Sequence, residues 1–127
     1  MNPAFIINNK KLYTEKILVE FQIPLLFTCK DEDNNKYIVE CFDEDKMEYI
    51  ISDTTNKDIL DMLNKRCTMY ELMKRGSKRW ICCAGQNLDL DKIEEVNEFT
   101  DDQLPVKDAY YEYPSKGVLE YMKELEK

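Results

Sequence analysis

The chain has no histidine and only three glycines among its 127 residues. Histidine is the commonest general base, a frequent metal ligand and the side chain that titrates nearest neutrality. Its absence excludes Ser–His and Cys–His nucleophile systems outright. The glycines, Gly76, Gly85 and Gly117, stand in no G-x-G arrangement, so the sequence holds no glycine-rich phosphate loop. No apolar run approaches the ~18 residues of a membrane-spanning helix; the longest patch, Phe21 to Phe27, is broken by Gln22 and Pro24. No basic stretch followed by an apolar one marks a secretory signal. The expectation is a soluble, cytoplasmic protein.

Disulfide scaffolding is likewise missing. Five cysteines, Cys29, Cys41, Cys67, Cys82 and Cys83, form an odd set with no C-x-x-C pair. Cys29 and Cys41 sit in apolar, strand-like runs and read as buried thiols. Cys82 and Cys83 are adjacent in a strand and must point to opposite faces. Lys78 and Arg79 nearby would favour a reactive thiolate, against the plainer reading of a structural pair. No metal or other cofactor is called for. The acidic run Asp31-Glu32-Asp33-Asn34-Asn35 opens like a calcium loop, but Lys36 and Phe42 stand where that loop needs glycine and glutamate. It reads as a hairpin tip.

What is present is enough apolar material for one core, 43% of residues, together with 8 Tyr, 5 Phe and 1 Trp. Residues 1–127 are expected to form one domain. Acids outnumber bases 26 to 18, for a net charge of −8. Direct binding to nucleic acid or to an anionic membrane needs clustered Lys and Arg, so neither is expected. Residues 31–55 hold nine acids against two lysines, and residues 86–127 hold twelve against five. Between them lies a basic stretch, Lys65-Arg66, Lys74-Arg75 and Lys78-Arg79, which could meet an acidic partner or a second copy of the chain.

Hydrophobic periodicity orders the chain. Pro3–Ile7 reads as an edge strand or arm, and Lys11–Glu20 as a strand. Ile23–Cys29, Lys36–Phe42 and Met47–Ile51, separated by two acidic turns, read as an antiparallel meander. The period then changes to that of a helix over Asn56–Arg66, with Thr55 as N-cap. Thr68-Met69-Tyr70-Glu71 has the form of a capping box, and Gly76 is placed to stop the helix it opens. Lys78–Ala84 returns to strand, centred on Trp80. Residues 86–105 fit helix or strand equally. Val106–Tyr113 reads as a further strand, and Ser115 opens a last helix with Val118, Tyr121, Met122 and Leu125 on one face. The fold class is α+β: an antiparallel sheet of about four to six strands with two or three packed helices.

Several blocks in this order resemble a small bacterial α+β domain family of no known activity. They are Leu25–Asp31 with Lys36–Val39, then Tyr49-Ile50-Ile51 with Asp58–Leu63. Thr68–Leu72 before the Trp80 strand, and Gln103-Leu104-Pro105, complete the set. The resemblance spans residues 24–113 and implies only an order of elements: meander, two short helices, tryptophan strand, L-P turn. A basic residue in that pattern is replaced here by Tyr70.

With no catalytic constellation, the expected function is that of a non-enzymatic protein-binding module. The candidate contact residues are the hairpin acids Asp31, Asp33, Asp43, Glu44 and Asp45 and the tyrosines Tyr110, Tyr111 and Tyr113. Tyrosine brings large contact area at low entropy cost. The rival reading is an inhibitor of a defence nuclease, of anti-CRISPR or anti-restriction type, whose spaced carboxylates imitate a duplex's charge. A protein partner is expected in either case, and self-association is left open.

Overall fold

In the computed structural model, which describes residues 3–83, 93–112 and 114–127, seven antiparallel strands pair in chain order. They are β1 (Phe5–Ile7), β2 (Lys10–Phe21), β3 (Ile23–Lys30), β4 (Lys36–Asp43), β5 (Glu48–Thr54), β6 (Arg79–Cys82) and β7 (Ile93–Val96). The helices are α1 (Asn56–Leu63) and α2 (Met69–Arg75), between β5 and β6, and α3 (Lys116–Leu125) at the end of the described chain. The three-stranded meander is therefore present as β3–β5, and it extends in both directions. The sheet has one strand more than the upper bound expected from the sequence. The surplus comes from β7, which pairs Ile93 with Cys82 and Val96 with Arg79, within the stretch 86–105 that the sequence leaves open between helix and strand. Residues 84–92, and with them Ala84 of the expected Trp80 strand, lie outside the described residues.

Both faces of the sheet are buried. Phe27, Cys29, Tyr37, Val39, Ile51 and Trp80 pack in one core; Leu26, Ile38 and Ile50 join the helices' buried residues in a second. This explains why β4 reads as nearly continuous apolar sequence. The sheet is also strongly curled. β1 and β5 are four strands apart in order, about 19 Å in a flat sheet, yet the Phe5 and Tyr49 rings lie 5.7 Å apart at 70°. Phe5 also stacks on Phe27 at 6.1 Å. β1 thus folds over the concave face and nearly closes the sheet into a barrel, with Tyr37 and Trp80 edge to face at 5.8 Å.

The helices cover the convex face, each begun by the cap that its sequence announces. Thr55 Oγ1 accepts from Asp58 N, Ser115 Oγ accepts from Val118 N, and Thr68 and Glu71 form the full reciprocal box. α3 is fixed to the sheet through Tyr121. Its hydroxyl donates to Glu15 Oε1 at 2.6 Å and lies 2.8 Å from Thr28 Oγ1.

Gly76 stands where the sequence places it, and one other expectation is corrected. Gly76 does close α2, but in an extended conformation, φ −65° and ψ 157°, not the left-handed one that usually selects glycine there. A Cβ would instead stand 2.3 Å from Ser52 Oγ and 2.4 Å from the Asp53 carbonyl oxygen, so the position demands glycine through close approach to β5. Residues 106–112 are not a strand. Pro105 and Pro114 bracket the segment and donate no ladder hydrogen bonds. The Tyr111 hydroxyl donates to the Leu18 carbonyl at 2.8 Å, which leads the chain across β2 as irregular backbone.

Candidate functional site

The antiparallel order sends the turns alternately to two ends of the curled sheet. The β1–β2 and β3–β4 turns and the exit of β5 make one end, the mouth. The β2–β3 and β4–β5 turns make the other, the far end. The two groups of hairpin acids lie at opposite ends of β4, about 25 Å apart for eight residues, and form no single surface.

At the mouth, Asp31 is buried within its own turn. Its Oδ1 accepts from Asp33 N at 2.9 Å and Asn35 N at 3.0 Å; its Oδ2 accepts from Asn35 Nδ2 at 3.0 Å and the Tyr37 hydroxyl at 2.9 Å. Burial pushes the Asp31 pKa up, but the hydrogen bonds from Asn35, Tyr37 and Asp33 outweigh it and hold the carboxyl below its ordinary value. Burial and this same carboxylate push the Tyr37 phenol up. Asp31 is therefore a structural anion that shapes the hairpin. Asp33 is exposed and among the described residues pairs with Lys10 at 3.6 Å, a solvated pair of small energetic weight.

The far end is different. Asp43 Oδ1 accepts from Lys46 N at 3.1 Å, which tightens the β4–β5 turn and presents Glu44 and Asp45 to solvent. Among the described residues none of these three acids forms an ion pair. The β2–β3 turn stands beside them, on the neighbouring pair of strands about 10 Å away. It carries Phe21, 66% exposed, ahead of Gln22 in a left-handed conformation, φ 65°. Val19 is also exposed. An exposed aromatic beside unpaired acids is a pattern of protein interfaces, where an apolar anchor is ringed by charge. Phe21 was no sequence candidate. It begins the longest apolar patch and by composition belongs in the core, but it stands at the one-residue turn of Gln22 and is exposed.

The tyrosine segment divides. Tyr111 is buried and bonded to Leu18, whereas Tyr110 is 46% exposed. Tyr113 lies outside the described residues. Nothing described joins Tyr110 to either group of acids.

Cysteine chemistry is quiet. None of the five cysteines is in a disulfide. Cys82 is buried and Cys83 exposed, on opposite sides of the strand end as alternation requires. The Cys83 thiol donates to Glu48 Oε2 at 3.1 Å, and burial together with that carboxylate pushes its pKa up to about 11. The reactive thiolate, the alternative to a structural pair, is disfavoured by burial and by Glu48; Lys78 and Arg79 sit at the other end of β6.

The mouth also holds an open cleft of about 890 Å³ whose lining comes from β1, the β3–β4 hairpin, the exit of β5 and the start of α1. Tyr37, Trp80 and Ile7 contribute its apolar part, and Lys10, Lys36, Lys57 and Lys78 surround them. No sequence signal marks it, because its residues are brought together only by the curl of the sheet. No family model matches the chain, and neither a curated protein nor a solved structure matches it. Among the described residues no helix is long and apolar enough to cross a membrane.

Proposed function

We propose that the protein is a non-enzymatic binding module that docks a basic protein surface at the far end of its sheet. Phe21 is the apolar anchor, and Asp43, Glu44 and Asp45 supply the charge. The observation that carries this reading is the pairing, at one end of a rigid sheet, of an exposed aromatic ring with three acids that no described base neutralises. Acids buried and hydrogen-bonded within the fold, such as Asp31, present no free carboxylate oxygen to a partner. Those on the β4–β5 turn keep theirs and steer association over a Debye length of ~8 Å at physiological salt.

Duplex mimicry is a narrower form of the same reading. Glu48 at the start of β5 and Glu94 on β7 extend the acidic surface, and both flank the Cys83 thiol electrostatically. Mimicry requires affinity to come almost wholly from charge. An interface anchored by Phe21 requires an apolar share that survives salt.

The experiment is capture of a partner by tagged protein from a nuclease-treated lysate, repeated at low and high salt and with two variants. The interface reading expects Phe21→Ser and the triple reversal D43K/E44K/D45K each to abolish capture, with partial retention by the wild type at high salt. Loss with the triple reversal but full retention with Phe21→Ser would favour mimicry. Capture unaffected by either variant would remove the far end from consideration.

A further inference from the structure

The mouth cleft is lined by charge of the sign opposite to the chain's net charge. The chain carries −8 overall, yet four lysines line this one cleft against a single lining acid, Asp53. That acid is engaged: its Oδ2 accepts from Ser77 Oγ at 2.7 Å and its Oδ1 from Lys78 N at 2.9 Å. Two of the lysines are engaged as well, Lys36 with Glu15 and Lys10 with Asp33. Lys57 and Lys78 are exposed and form no ion pair among the described residues. The uncharged polar lining includes the exposed Asn8, Asn34 and Thr55. An amide offers both a donor and an acceptor and a hydroxyl either, which suits a ligand rich in hydroxyl groups.

We infer that this cleft binds a small phosphorylated polyol, its phosphate held by Lys57 and Lys78 and its hydroxyl groups turned to Asn8, Asn34 and Thr55. The amine is a compact point charge suited to a phosphate that arrives without a fixed orientation. The size of the cleft sets an upper limit near a mononucleotide, since drug-sized ligands occupy ~300–1,000 Å³. The net charge sets the same limit by another route. An extended polyanion would run from the cleft onto acidic surface, so nucleic acid does not suit the site. Mouths of barrel-like sheets are a recurrent place for ligands. This site lies at the end of the sheet opposite the proposed protein interface and does not depend on it.

Trp80 is the only tryptophan in the chain and lines the cleft, so its fluorescence reports occupancy directly. The full chain is titrated with ribose 5-phosphate, with ribose, and with sodium chloride at matched ionic strength. The inference expects a saturable change with ribose 5-phosphate at a Kd below ~1 mM. Ribose should bind at least tenfold more weakly, as should ribose 5-phosphate to the double variant K57Q/K78Q. The control variant K123Q/K127Q, on α3 and beyond it, should bind as the wild type does. Both pairs are exposed, and far-ultraviolet circular dichroism checks that each variant is folded. No saturable response, equal binding of ribose, or unchanged affinity in K57Q/K78Q would each overturn the inference.

Discussion

Glu40 shows how far one residue can depart from what its neighbours suggest. It stands in β4 between Val39 and Cys41 and pairs across the sheet with Leu26 and Ile50, on the face covered by the helices. Its Oε2 is buried without a hydrogen-bond partner, and burial pushes its pKa up to about 8. Between the ordinary value of 4.5 and about 8, the native state therefore holds a proton that the unfolded chain has released. Stability conferred by this group is complete below the lower value and is lost as pH rises through the upper one. Glu40→Gln removes the ionisation. The expected result is a melting temperature close to that of the wild type at pH 5 and clearly higher at pH 9, a gain of roughly 2–4 kcal/mol. A pH-independent difference between the two proteins would contradict the assignment. Asp31 carries the opposite sign: its lowered pKa contributes stability above the unfolded value, lost as pH falls through the folded one.

At the scale of elements, the two described glycines make contrasting demands. Gly76 cannot take a Cβ, because the atoms it would meet include the β5 backbone at 2.4 Å. Gly76→Ala should therefore cost about 2 kcal/mol or more, as overpacking against an immovable neighbour does. Gly117 is in the first turn of α3, and the nearest atom to its Cβ position is Lys16 Nζ at 2.8 Å, the end of a flexible chain. There Gly117→Ala should stabilise by up to ~1 kcal/mol through helix propensity. Chemical denaturation of the two single variants checks both signs. A destabilised Gly117→Ala protein would mean that Lys16 is held in place.

These elements also show what was legible in the sequence. Strands β3, β4 and β5 announced themselves by apolar runs between Asx-rich turns, and the helices by Thr55, Thr68 and Ser115. All of these are signals contained within a few residues. Residues 106–112 read as a strand by sequence, but they pair with no strand among the described residues. β7 is ambiguous in the sequence because Leu90, Ile93 and Val96 recur by threes, as on a helix; in the strand that forms, Ile93 and Val96 point to opposite faces and pack in different cores. Phe21 and the mouth cleft were illegible for a different reason. One depends on a single turn residue, Gln22. The other depends on the curl that brings Lys10, Lys36, Lys57 and Lys78 from four separate segments to one opening.

For the molecule as a whole, the sheet order separates two chemistries that composition averages into a net charge. Every turn at the mouth brings asparagine or lysine to the cleft, and the turns at the far end bring Phe21 and the unpaired acids. A rigid, nearly closed sheet keeps these ends about 25 Å apart, so each can be altered without disturbing the other. The variant K57Q/K78Q should accordingly leave protein capture unchanged, and D43K/E44K/D45K should leave the Trp80 titration unchanged. Coupling between the two would show that the ends communicate through the sheet.

The most direct test of the far-end interface is amide chemical-shift mapping of the isotope-labelled chain on addition of the captured partner. The predicted result is perturbation confined to residues 19–24 and 42–48, with the mouth residues 34–36 and 54–57 unmoved. Perturbation centred on Tyr110, on α3 or on the mouth would contradict the placement of the interface.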